Sequence, residues 1–320
     1  MMGAQRLFVR VFLQRMKSWH QRVTDKPWLD APTHRLTLVT SSILICLALF
    51  TSAHMRAWQY DQWSAAQDIY YIEDFPSFST TDAAYFLLVA QQIKTHGNSQ
   101  NLNRKLSYPD FVDDIPTAPR SVLDEPLLAV LISHLSPDAS MRSLSMAAHQ
   151  MLPVSVMLTA LAVVFAFGAA GFWSEGAIAA LGSSLSSAFL ERTSAGRLDT
   201  DQLNLGFFYL ITALIIWAGR AKNIWVALAF CGAAAAATHL FYWWWPKPIL
   251  GWVFLVGLIW LAYFSNRSVV RAALLGGVYL ALISHLNFSL SVEVDDYTAS
   301  ITSIGQMKLP NTFDAITELK

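Results

Sequence analysis

The sequence predicts an all-α protein that crosses a membrane several times and carries one long helical segment outside the bilayer. Of its 320 residues, 54% are hydrophobic and 14% are charged, whereas a soluble domain carries about 25% charged residues. Several apolar runs have about the length that a helix needs to cross a bilayer. The net charge of +0 gives no basic excess of the kind that a nucleic-acid partner requires. The composition is typical of an integral membrane protein.

The apolar runs define seven predicted spans. The third is short and rich in Gly, Ala and Ser, which suits a helix packed against its neighbours better than one that faces lipid. In chain order the spans are Leu36–Ala53, Met151–Gly171, Glu175–Leu190, Leu203–Ala218, Ile224–Tyr242, Ile249–Phe264 and Val269–Leu286.

Basic residues predict that the N-terminal flank, residues 1–35, lies in the cytoplasm. Lys and Arg outnumber Asp and Glu in this flank, and positively charged flanks stay on the cytoplasmic side. The links after the fourth and sixth spans then lie on the same side. They carry Arg220 with Lys222, and Arg267 with Arg271, so the charges of the later links agree with this orientation.

Two long polar segments fall on the external side of the predicted membrane domain, which covers residues 36–286. Residues 54–150 form the first external loop, and residues 287–320 form the second. The first loop contains two patterns typical of amphipathic helices, Asp82–Ile93 and Glu125–Leu135. We therefore expect a partly helical external surface.

A charged stretch from Arg192 to Asp201 lies at the external end of the fourth predicted span. Carboxylate oxygens are the ligands that Mg²⁺ and Mn²⁺ prefer, and in an extended loop both Asp199 and Asp201 can face one ion. Asp201 also lies next to the predicted helix start at Gln202, where it suits a cap. Asp199 is therefore the better candidate ligand. A solvated loop with a capping aspartate is the commoner situation for such a pair.

Three other polar residues have two interpretations each. Arg192 suits either pairing with these carboxylates or with a diphosphate, or an interfacial position with its charge reaching water. Asp82 begins an amphipathic helix, where it stabilises the helix dipole or binds a metal. His149 lies next to the second span, where a packing histidine is commoner than a functional one.

Three motifs together resemble those of oligosaccharyltransferase catalytic subunits, the PglB-like membrane glycosyltransferases of GT-C type. Arg192-Thr-Ser-Ala-Gly-Arg-Leu-Asp-Thr-Asp201 resembles the Arg…Gly…Asp-Thr-Asp signature of the second external loop. Thr81-Asp82-Ala-Ala-Tyr-Phe86 resembles the first-loop motif, and Ala315-Ile-Thr-Glu318 resembles the fifth-loop motif. The motifs occur in the family's order and on the expected side of the membrane.

In that family a glycan is transferred en bloc from a polyprenyl-diphosphate carrier in the membrane lipid to the Asn amide of an Asn-x-Ser/Thr acceptor polypeptide. The resemblance implies an Mg²⁺ or Mn²⁺ site on the external face of the membrane. From the compactness of the chain and its short N-terminal flank we expect a bacterial inner membrane, with this face on the periplasmic side. The implied metal ligands are Asp82, Asp199, Asp201 and Glu318. The implied catalytic residues are Asp82, Glu318 and Arg192, and the implied substrate-binding residues are Arg192 and Arg197.

The chain departs from the family pattern near its end. The soluble domain with the Trp-Trp-Asp motif that reads the acceptor falls outside the 320 residues, and Ala315 replaces the usual Thr or Ser. Fewer spans separate Asp201 from Glu318 than in the family. We therefore expect a truncated relative that binds acceptor weakly.

Two alternatives from other classes stay open. A GT-C transferase that uses a polyprenyl-monophosphate sugar donor would need Asp82 but not Asp199. A transporter or scaffold subunit is the non-enzyme alternative, although a transporter would place ionisable residues near the middle of its spans. Comparing Asp82→Ala with Asp199→Ala in a sugar-transfer assay separates the two enzymes.

Overall fold

The computed structural model describes residues 32–72, 74–78, 81–97, 125–245 and 249–284. This part of the chain is 84% helical, so the predicted all-α class is confirmed. Five of its helices are long and apolar enough to cross a membrane. The chain is therefore a multi-pass, α-helical membrane protein.

The described residues form helices joined by short links, with one small antiparallel hairpin in which Tyr71 pairs with Pro76 and Ile72 with Phe75. In chain order the elements are α1 (Pro32–Ala65), α2 (Gln67–Tyr70), β1 (Tyr71–Ile72), β2 (Phe75–Pro76), α3 (Thr81–His96), α4 (Leu127–Leu135), α5 (Met141–Ala170), α6 (Trp173–Leu185), α7 (Ser187–Arg192), α8 (Asp201–Arg220), α9 (Ile224–Trp244), α10 (Ile249–Asn266) and α11 (Val269–Ile283).

Three predicted spans differ from the observed helices. The second, Met151–Gly171, lies in a helix that begins earlier, at Met141. The first helix does not end at Ala53 but continues to Ala65, so the first external loop begins as helix. The third predicted span, Glu175–Leu190, is not one helix, because Ser186 adopts an extended conformation between α6 and α7. The Ser186 side chain accepts a hydrogen bond from the amide of Phe189 and so caps α7. The seven-span count stays a prediction.

The described residues form two compact units, divided between residues 217 and 218. In the first, α1, α5 and α6 pack against one another in all three pairings. The buried face of α6 carries only small residues, as the sequence predicted, and this lets neighbouring backbones approach closely. A Cβ added to Gly176 would lie 2.7 Å from the Cβ of Phe167. The residues of this face are Gly176, Ala177, Ala180 and Ser184.

Two serine contacts set the register between α1 and α6. The hydroxyls of Ser41 and Ser174 lie 2.6 Å apart, and those of Ser52 and Ser184 also lie 2.6 Å apart. Both pairs advance along the two helices in the same direction, so α1 and α6 run parallel. The C-terminal end of α6 is thereby held beside the second half of α1.

The two predicted amphipathic helices are present as α3 and α4. They pack against each other, and both contact α5. The Lys94 ammonium donates to the carbonyl of Ser136 at 2.8 Å, and the Gln91 amide donates to the carbonyl of Ala139 at 3.0 Å. These bonds fix the end of α3 against the link between α4 and α5.

The second unit contains α9, α10 and α11, with α11 in contact with both others. The hydroxyls of Thr238 and Tyr279 lie 2.7 Å apart and join α9 to α11 inside the apolar interior. Arg271 donates to the carbonyl of Lys222 at 2.9 Å. The first contact satisfies hydroxyl groups that would otherwise be buried without a partner, whereas the second lies at the surface.

Candidate functional site

The loop that carries the Asp-Thr-Asp motif, residues 193–200, connects α7 to α8, and we call it the acidic loop. Arg56 of α1 holds the first residue of this loop, and the Arg56 side chain is only 1% exposed. The guanidinium donates to Thr193 Oγ1 and to the carbonyl of Ser184 at 2.9 Å, and it lies 5.4 Å from the ring centroid of Phe189. Ser184 is in the last turn of α6, where carbonyls lack a donor within the helix. Arg56 therefore joins α1 to the break between α6 and α7.

We expect Arg56→Ala to destabilise the protein by about 2–4 kcal/mol, because it leaves buried acceptors unpaired and a cavity beside Phe189. Thermal unfolding of the detergent-solubilised chain measures this. Arg142→Ala is the matched control, since Arg142 pairs with Asp74 at 2.9 Å while the two side chains are 58% and 59% exposed, a geometry worth about 0.5 kcal/mol. Equal shifts in the two variants would contradict the structural role of Arg56.

A glycine lets the acidic loop pack under an aromatic ring of α1. Gly196 has φ +79, in the left-handed region, and a Cβ there would lie 1.9 Å from Cη2 of Trp63. Glycine is therefore the residue that satisfies both the backbone conformation and the close approach. Ala195 and Leu198 are each 3% exposed, so the middle of the loop is anchored by buried side chains, while Asp199 and Thr200 at its end are partly exposed.

One carboxylate oxygen of Asp199 has no partner among the described residues. Its Oδ1 accepts hydrogen bonds from the amide of Thr200 at 2.6 Å and from the Thr200 hydroxyl at 3.3 Å. Its Oδ2 has no hydrogen bond or ion pair with any residue that the structure describes. The side chain is partly exposed. A hard oxygen ligand is thus presented at the surface on a fixed loop, which suits Mg²⁺ or Mn²⁺.

Asp201, in contrast, uses both of its carboxylate oxygens. It is the first residue of α8, where negative charge is favoured by the helix dipole. Its Oδ2 lies 3.0 Å from Nη1 of Arg192, and its Oδ1 accepts from Asn204 Nδ2 at 3.2 Å. A metal bound by Asp201 would have to displace one of these partners. The geometry agrees with the expectation that Asp199 is the better ligand of the two.

The two arginines of the motif lie in different surroundings. Arg192 ends α7, and its side chain is 59% exposed, so its ion pair is accessible to an anion. Arg197 is partly buried, and its Nε atom has no hydrogen-bond partner within the described part of the chain. Arg192 therefore faces the surface, whereas Arg197 presents at least one donor to the interior.

Two of the predicted metal ligands are not located. Asp82 lies in the first turn of α3 by its backbone, but its side chain is outside the described residues, and Glu318 is outside them as well. Over the described ranges, no three His, Cys, Asp or Glu side chains are grouped closely enough to hold a metal ion. Asp199 and Asp201 are the predicted ligands whose positions are defined.

Several residues of this site had no functional signal in the sequence. Arg56 and Trp63 lie in the first helix and contact the acidic loop from α1. His149 on α5 and Gln202 on α8 face the loop from behind. Only Gly196 gave a hint, because a glycine in a polar loop often marks a close approach of the backbone.

The chain matches no model of a known protein family and no curated protein. The resemblance to oligosaccharyltransferases therefore rests on short sequence motifs alone.

Proposed function

We propose that this chain is a membrane glycosyltransferase of GT-C type, related to oligosaccharyltransferase catalytic subunits. It would transfer a glycan from a polyprenyl-diphosphate carrier to the Asn amide of an Asn-x-Ser/Thr acceptor, at the periplasmic face of a bacterial inner membrane. The observation that carries the proposal is Oδ2 of Asp199, which has no partner among the described residues and lies on a packed loop that follows the exposed guanidinium of Arg192 in the chain.

The proposed ligand set is one for a divalent cation. Asp199 offers a hard oxygen on a rigid loop, and Asp82 and Glu318 are proposed as the other ligands, contributed by distant parts of the sequence. Mg²⁺ or Mn²⁺ held there would neutralise charge that develops on the departing diphosphate. The carboxylates of Asp82 and Glu318 would accept the acceptor amide's N–H groups, which loosens the amide conjugation and makes its nitrogen a better nucleophile.

Arg192 is proposed to bind the diphosphate. A guanidinium matches phosphate oxygens in a bidentate geometry, and its present partner, Asp201, is 30% exposed, so the pair is weakly held. Exchange of Asp201 for a diphosphate would bring two positive groups, the cation and Arg192, to the same leaving group. Arg197 would add a third positive charge close behind them.

The proposal is tested with the full chain in nanodiscs. We expect Mn²⁺-dependent binding of a polyprenyl-diphosphate oligosaccharide and, at high concentrations of an Asn-x-Thr peptide, transfer of the whole glycan. A polyprenyl-monophosphate sugar is the comparison donor. Binding or transfer restricted to the monophosphate donor would favour the single-sugar transferase, and the absence of binding to either donor would refute both.

Side-selective labelling tests the proposed orientation. Glu191, next to Arg192, is exposed, so Glu191→Cys in a Cys46→Ala background offers an accessible thiol. We expect a membrane-impermeant maleimide to label it from the periplasmic side of intact cells. Labelling that requires disruption of the inner membrane would place the acidic loop in the cytoplasm and contradict the proposal.

We expect Arg192→Ala to weaken binding of the diphosphate donor by about tenfold or more, since a charge-assisted hydrogen bond contributes about 1.5–3 kcal/mol. The loss of its exposed ion pair should change stability by less than about 1 kcal/mol. Donor titration and thermal unfolding of the same sample measure both, with Arg142→Ala as the control. Unchanged donor affinity would remove Arg192 from the substrate site.

A further inference from the structure

A small, partly open cavity lies behind the acidic loop, between α5 and the start of α8. Its volume is about 10 Å³, which is about the space that one water molecule needs. The lining side chains include Phe78, Leu152 and Leu198 on the apolar side, and His149, Arg197 and Gln202 on the polar side.

The polar side of this cavity presents atoms that lack partners. Gln202 is 1% exposed and His149 is 5% exposed. Neither Nε2 nor Oε1 of Gln202 has a hydrogen-bond partner among the described groups, and the same holds for Nε2 of His149 and Nε of Arg197. Buried polar groups are almost always hydrogen-bonded. Four such atoms, on three residues that line one cavity, are the basis for inferring a bound polar molecule.

The hydrogen-bonding capacity of these atoms identifies the molecule. Nδ1 of His149 lies 2.9 Å from the carbonyl of Ser145, which only accepts, so Nδ1 carries the proton and Nε2 of the neutral ring accepts. Gln202 adds one acceptor and one donor, and Arg197 Nε adds a donor. Two donors and two acceptors match a water molecule. A cation in the cavity would be repelled by the guanidinium of Arg197. An anion would be repelled by the lone pairs of His149 Nε2 and Gln202 Oε1.

We propose that this cavity binds a single water molecule that links His149 on α5 and Gln202 on α8 to Arg197 in the acidic loop. The water completes a set of three anchors for the loop. Arg56 holds its first residue, Trp63 packs on Gly196 in its middle, and the water holds Arg197, two residues before Asp199. His149 and Gln202 are then positioning residues for the carboxylate, a consequence that rests on the proposed function.

The aromatic surroundings of His149 fix its ring. Its centroid lies 4.7 Å from that of Phe78, 5.3 Å from that of Tyr60 and 6.3 Å from that of Trp63. These contacts need only a flat ring, so phenylalanine preserves them while removing the acceptor Nε2 and the Nδ1 bond to the carbonyl of Ser145. Loss of the Nδ1 bond acts independently of Gln202, so without a water site the effects of the His149 and Gln202 substitutions multiply, whereas the water site predicts that they do not.

Hydrogen exchange of the full chain in detergent tests the inference. We expect His149→Phe and Gln202→Met each to speed amide exchange in residues 195–200 by about tenfold, because each leaves the remaining polar atoms unsatisfied. The double variant makes two walls of the cavity apolar, so its exchange should be no faster than that of either single variant. Gln92→Met on α3, away from the cavity, is the control.

Unchanged exchange in the single variants, or effects that multiply in the double variant, would overturn the water site. If either substitution lowers the helical content seen by circular dichroism, Arg197→Met at a partly exposed position tests the same bridge with the same expectation. Exchange needs neither donor nor metal. A failed water site therefore leaves the proposed transferase standing, and a failed transferase leaves the water site standing.

Discussion

Asp199→Asn is expected to reduce Mn²⁺-dependent glycan transfer by about 100-fold or more, the scale seen when a group that stabilises transition-state charge is removed. An amide oxygen is a weak ligand for a hard cation, while its shape and its bonds to Thr200 are preserved. The initial rate of glycopeptide formation at saturating donor measures the effect, with Mn²⁺ in excess.

Two further variants show whether this loss is specific. Asp61→Asn changes an exposed carboxylate of α1 outside the acidic loop, and we expect the rate to stay within about twofold, as for surface substitutions in general. Asp201→Asn should cost less than Asp199→Asn, because Asp201 is held by Arg192 and Asn204. Equal losses for Asp199 and Asp61 would exclude a metal-binding role for the acidic loop.

Gly196→Ala is expected to destabilise the protein by about 3 kcal/mol or more and to displace the acidic loop. The left-handed conformation alone costs about 1–2 kcal/mol for a residue with a Cβ, and here the Cβ would also lie 1.9 Å from the Trp63 ring. Moving the loop away from Trp63 would carry Asp199 with it. Transfer activity and thermal unfolding should therefore fall together.

A second glycine separates the cost of the left-handed backbone conformation from the cost of the clash with Trp63. Gly171 has φ +97, but a Cβ there would meet no atom within 4 Å, so Gly171→Ala should show only the conformational cost of about 1–2 kcal/mol. Trp63→Leu combined with Gly196→Ala should recover the part that comes from the clash. Equal destabilisation by the two alanine variants would mean that Trp63 does not fix the loop.

The elements that follow from local pattern were predictable. The apolar runs predicted the long helices, and α3 and α4 appeared where amphipathic spacing placed them. The small residues of α6 predicted close packing correctly. Each of these depends on periodicity and side-chain size within one segment, which the sequence displays directly.

The features that depend on distant residues were not predictable. The interruption at Ser186 is stabilised by Arg56 through Ser184 and Thr193, more than 120 positions along the chain. His149 looked like a packing residue, and the lack of a partner for its Nε2 within the described part of the chain became evident only when the fold placed Gln202 and Arg197 at the same cavity. For the acidic loop, the sequence indicated the chemistry of Asp199 and Asp201, but the fold was needed to distinguish their surroundings.

The central claim is that Asp199 holds a divalent cation against the diphosphate of a lipid-linked glycan. Pulsed electron paramagnetic resonance of Mn²⁺ bound to the full chain with polyprenyl-diphosphate oligosaccharide tests it most directly. We predict a ³¹P coupling that reports direct contact between Mn²⁺ and the diphosphate, and its loss in Asp199→Asn but not in Asp61→Asn. The same ³¹P coupling in Asp199→Asn, or none in the unaltered chain, would contradict the account.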